Sequence, residues 1–97
     1  MAVAISARAV KTVRAMLGAR LRDLRQRGGF TQRELGRRAK LSGKFIGEVE
    51  RGEKSITLDS LHRLSRALRT TLAELVSMEA SRNGSARHAA RRQPARR

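Results

Sequence analysis

Large apolar residues recur at helical spacing through most of this chain and then stop. Leu17, Leu21 and Leu24 share one face at i, i+4, i+7, Val10 and then Val13 or Arg14 extend the stripe toward the N-terminus, and Gly28-Gly29 ends it. The pattern predicts a first helix from Val10 or Val13 to Arg27, followed by Phe30 as a buried plug. Thr31 with Glu34 three residues on forms a capping box, which opens a second helix to about Ala39. Ser42 caps a third helix ending at Gly52, with Ile46 and Val49 facing inward. Thr57 caps a fourth, in which Leu58, Leu61, Leu64, Ser65 and Leu68 repeat at i, i+3, i+4. Thr71 and Glu74 make a second capping box and a fifth helix to about Met78. From Ala80 onward there is no large apolar residue, so a disordered tail is expected.

Five short helices predict an all-α bundle of residues 16–79, with an N-terminal extension over 1–15 whose apolar stripe can carry it into helix one and an Arg-rich tail over 80–97. Met16 would be a natural start for the domain. Only three residues, Lys40 to Ser42, join helices two and three. That is too few for a full-length antiparallel pair, but it suits the crossed pair of a helix-turn-helix.

Composition sharpens this picture. Phe30 and Phe45 are the only aromatics and there is no cysteine, so the core must be aliphatic and unstapled, and a reducing compartment is compatible with it. Lys and Arg number 23 against 8 Asp and Glu, giving a net charge of +15 and a pI near 12.0. All the acids lie between Asp23 and Glu79; Arg8, Lys11 and Arg14 at the front and six arginines after Ala80 are unbalanced. A balance this basic points to a polyanion, with nucleic acid the commonest. The first twenty residues imitate a transit peptide, but their apolar stripe runs unbroken into helix one, which argues against removal. No run is long enough to span a membrane. His62 and His88 are isolated, and no serine has triad partners. Neither metal, cofactor nor catalysis is therefore expected.

The segment "LRDLRQRGGFTQRELGRRAKLSGKFIGEVERGEKSITLDSLHRLSRAL" carries linked features in a fixed order: "GFTQREL", then "SGKFIGEVERG", then the leucine repeat of helix four. Together they resemble the Cro/phage-repressor (XRE) helix-turn-helix family, and particularly its single-domain members such as restriction-modification controller proteins. The resemblance covers about 60 residues. It implies a lambda-repressor-like bundle acting as a cytoplasmic, nucleoid-associated, dimeric transcriptional regulator on double-stranded DNA, with helix three in the major groove. A protein-interaction adaptor or an antitoxin on the same fold is the alternative.

Carried over by position, the resemblance assigns base reading to Gly43, Lys44, Gly47 and Glu48. It assigns phosphate contact to Gln32, which also braces helix three, and to Ser42 and Arg51. It pairs Arg25 with Glu50 in a partly buried ion pair. The residues themselves support part of this. With Ile46 and Val49 inward, positions 43, 44, 47 and 48 fall outward; a lysine can donate to guanine and a glutamate can accept from cytosine. Arg33, Arg37 and Arg38 suit phosphate tracking. Leu72, Leu75, Val76 and Met78 exceed what a small core needs, so helix five with neighbouring parts of helix four is the expected dimer surface. Two positions depart from the family pattern: Lys40 and Arg69 stand where glycines commonly end helices two and four.

Overall fold

Each helix of this protein begins at a hydroxyl that accepts a hydrogen bond from the backbone N–H three residues on. In the computed structural model, which describes residues 6–77, these caps open α1 (Ala7–Arg27), α2 (Gln32–Ala39), α3 (Gly43–Glu50), α4 (Leu58–Ala67) and α5 (Leu72–Leu75). The caps are Ser6, Thr31, Ser42, Thr57 and Thr71. Ser6 starts α1 at Ala7, before the first member of its apolar stripe, because the hydroxyl accepts from Ala9 N at 3.1 Å. At α2 the box is reciprocal, the Glu34 carboxylate accepting from Thr31 N at 2.9 Å. That bond holds the Glu34 carboxyl below its ordinary pKa. Residues 1–5, Met78 and the basic tail expected over 80–97 lie outside the described residues.

The first four helices also end alike. After α1, Phe30 N donates to Arg25 O at 3.1 Å and Gly29 N to Gln26 O at 3.1 Å, with Gly29 at φ 77. The same pair of bonds closes α3 around Gly52 (φ 76), α2 around Lys40 (φ 62) and α4 around Arg69 (φ 59). The departures at Lys40 and Arg69 thus leave the turn intact and place a side chain in left-handed backbone, which costs about 1–2 kcal/mol. Arg69→Gly is expected to raise stability by up to about 1 kcal/mol, the relief of strain less glycine's greater unfolded-state freedom. A thermal or urea melt checks this.

Leu21, Leu35, Ala39, Ile46, Val49, Leu61, Leu64 and Leu75 form one buried cluster drawn from all five helices. Phe30 is half-buried at its edge, with the Arg38 guanidinium 5.0 Å above the ring. Two arginines tie helix ends together. Arg20, only 6% exposed, donates from Nε and Nη2 to Glu74 O at 3.1 and 2.9 Å, fastening α5 to α1. Arg63 Nε donates to Ala39 O at 2.9 Å, fastening the end of α2 to α4.

This packing corrects the expected dimer surface. Leu75 is wholly buried in the core of its own chain, because α5 folds back under the Arg20 anchor, and it is not available to a partner. Leu72 is half-buried against the same core, while Val76 stays 37% exposed. No helix among the described residues is long and apolar enough to cross a membrane.

Candidate nucleic-acid interface

α3 is held from three sides. Arg25 on α1 donates from Nε to Glu50 Oε2 at 2.6 Å and from Nη2 to Glu50 Oε1 at 3.1 Å, with side chains only 11% and 3% exposed. Its Nη1 donates to Phe30 O at 2.9 Å, so one guanidinium joins α1, the loop before α2, and α3. Gln32, the first residue of α2, donates from Nε2 to the same Glu50 oxygen, Oε1, at 3.1 Å. The buried carboxylate therefore has a fork and an amide as donors, the full pairing that a buried charge needs. Its effect is to fix the end of α3 relative to the first turn of α2.

The two glycines of α3 are not on the outward face that the spacing of Ile46 and Val49 suggests. A Cβ on Gly43 would lie 3.0 Å from Arg33 Cα and 3.2 Å from Arg33 N, so Gly43 is pressed against the backbone of α2. Gly47 is buried: a Cβ there would meet the Gln32 amide oxygen at 3.2 Å, its nitrogen at 3.3 Å, and Arg51 Nη1 at 3.2 Å. Both glycines let α2 cross α3 closely. As base readers they are withdrawn, because the face they occupy is covered by Gln32, Arg33 and Arg51. Apolar periodicity could not show this, since a glycine has no side chain to place and α2 is packed from outside the window.

What remains outward is narrower. Lys44 is exposed, Glu48 half-exposed and Arg51 exposed, and their i, i+4, i+7 spacing puts them in one stripe. On α2, Arg33 and Arg37 are exposed one turn apart, and Ser42 is an exposed cap accepting from Phe45 N at 3.0 Å. His62 is exposed on α4, and no group of three His, Cys, Asp or Glu able to hold a metal exists among the described residues.

Two short helices crossed at glycines, with a lysine–glutamate–arginine stripe on the second and arginines on the first, define a DNA-binding protein of the helix-turn-helix class. The chain belongs to the helix-turn-helix domain family, which matches it over residues 16–78. It is 32% identical over 65 residues to the HTH-type transcriptional regulator y4dJ of Sinorhizobium fredii, covering 67% of this chain and 84% of the relative. It is 30% identical over 71 residues to the control protein C.SmaI of Serratia marcescens, covering 73% and 84%. Among solved structures it is similar to the restriction-modification controller protein C.AhdI of Aeromonas hydrophila. That likeness has a TM-score of 0.63 at 34% identity, over 64% of this chain and 94% of the other. The chain is thus a DNA-binding transcription regulator with an all-helical fold.

Proposed function

We propose that the protein is a sequence-specific regulator that binds duplex DNA as a homodimer with α3 in the major groove. The observation that carries this reading is the exposed stripe at the front of a rigidly braced α3. Lys44 is placed to donate to guanine O6 or N7, and Glu48 to accept from cytosine N4. The first turns of α2 and α3 present uncommitted backbone N–H groups and helix dipoles to the flanking phosphates. Arg33 and Arg37 add charge beside them, and the six arginines after Ala80 add to the net positive charge of the chain. Gln32 serves the site mainly as a brace, since its amide is engaged with Glu50. Val76, with Leu72 beside it, remains the part of α5 available to a second copy. The similarity to the control protein C.SmaI and to a restriction-modification controller protein supports a role in gene control, and a cytoplasmic location follows from that role.

The test is selection from a randomised duplex pool by gel shift with the full chain. Recovery of one sequence in two inverted copies is expected, because two-fold protein symmetry imposes a two-fold site. Recovery of unrelated sequences would refute sequence-specific binding, and recovery of single, unrepeated copies would refute the dimer.

A further inference from the structure

Position alone gives Arg51 to a backbone phosphate, but its surroundings suit a different task. It closes α3 with near-helical backbone (φ −85, ψ 1), so its side chain still belongs to the stripe of Lys44 and Glu48. The guanidinium folds back along the helix and lies over Gly47, its Nη1 3.2 Å from where a Cβ would stand. Any larger residue at 47 would compete with it for that place. On its other side the group is gripped by Glu53: Nε donates to Oε2 at 2.9 Å and Nη2 to Oε1 at 3.3 Å. Glu53 is itself set by the turn around Gly52, its N–H donating to Glu48 O at 2.9 Å.

This grip uses the side-on edge of the guanidinium. The end-on edge, formed by Nη1 and the second N–H of Nη2, meets no acceptor among the described residues and stays rigid and planar. Arg51 also sits among carboxylates. The Glu53 hydrogen bond first, then the charges of Glu53, Glu48 and Glu50, hold its pKa above the ordinary arginine value. Reciprocally, the Arg51 bond holds Glu53 below the ordinary glutamate value. Paired with Glu53 on one edge, the guanidinium carries less net charge toward a phosphate than a free arginine would. It keeps the paired donors that match guanine O6 and N7.

We infer that Arg51 is a third base reader, donating its end-on edge to a guanine, with Glu53 as its positioning residue and Gly47 as the gap that admits it. This rests on the reading that α3 enters the major groove, and it supplies the specificity that the two glycines cannot. The test uses the full chain in selection from randomised duplex, followed by titration of the selected duplex and single-base variants at several salt concentrations. The proteins compared are wild type, Arg51→Ala, Arg51→Lys and Glu53→Gln; both side chains are more than half exposed, so the fold is retained.

Arg51→Ala is expected to lose about tenfold or more of the preference for G·C at one position of the site, other positions being unchanged. Arg51→Lys should lose much of that preference despite keeping the charge. Glu53→Gln should weaken the preference at the same position while affinity for unrelated duplex holds or rises. A uniform loss across all sequences in Arg51→Ala, with the salt slope reduced by about one, would instead make Arg51 a phosphate contact and overturn the inference. Full preference in Glu53→Gln would overturn the positioning role. If wild type selects no sequence at all, the regulator reading itself fails, and this inference with it.

Discussion

Glu50→Ala is expected to destabilise the domain by about 3–5 kcal/mol, the cost of leaving a buried ionic partner uncompensated. Arg25 would keep its bond to Phe30 O, but with a side chain 11% exposed it would have neither water nor carboxylate to offset its charge. Gln32 would lose its acceptor as well. Small domains are stable by only about 5–15 kcal/mol, so the variant should be largely unfolded under conditions where wild type is not. The reciprocal change, Arg25→Ala, strands the carboxylate and should be comparably severe. Replacing both, as Arg25→Ala with Glu50→Ala, should cost clearly less than the two single changes added together, since no charge is left buried. Urea melts of the four proteins close this cycle. Additive losses would show that the pair contributes as two separate contacts and not as one unit.

Gly18→Ala is the second large effect. α1 crosses α3 at Gly18 so closely that a Cβ would overlap Val49 O, lie 2.5 Å from Glu50 O and 2.8 Å from Glu50 C. These are backbone atoms, so no rotamer change relieves the contact; the helices must separate. Alanine favours a helix over glycine by about 1 kcal/mol, yet overpacking of this kind costs about 1–3 kcal/mol and sometimes more. A net loss of about 2 kcal/mol is expected, with DNA binding weakened because the displaced residues include Glu50. Gly47→Ala is the informative contrast. There the atoms nearest the added methyl are the ends of the Gln32 and Arg51 side chains, so the loss of stability should be smaller than at Gly18 while the exposed stripe shifts. Melting curves recorded beside gel shifts separate the two outcomes.

The difference between these glycines marks where the sequence stopped being readable. Caps and helix ends were legible because each is a local event: Thr31 with Glu34, Ser42, Thr57 and Gly29 act within one turn of chain. The aliphatic core was legible for the same reason, through the spacing of Leu21, Ile46, Val49, Leu61 and Leu64. What failed was long-range. The wheel of α3 put Gly43 and Gly47 outward, because it could not include α2 packing against them. Leu75 read as surplus to the core because nothing near it announces that Arg20, bonded to Glu74 at a separation of 54 residues, will hold α5 down. Gly18 carried no signal at all, since a glycine within an otherwise regular helix looks the same whether or not another backbone crosses it. At the interface, Lys44 and Glu48 were visible as outward residues. The alignment of Arg51 with them depended on how α3 ends and on where Glu53 turns.

The central claim is that the exposed face of a braced α3 reads base sequence. Its most direct test is to select binding sites in parallel for wild type and for the Lys44→Ala, Glu48→Ala double variant, which removes two surface side chains and no core contact. The variant should fold normally, retain salt-dependent binding to arbitrary duplex, and lose the base preferences at the positions those residues face while keeping the others. Recovery of the wild-type sequence, with undiminished preference, by the double variant would contradict the account.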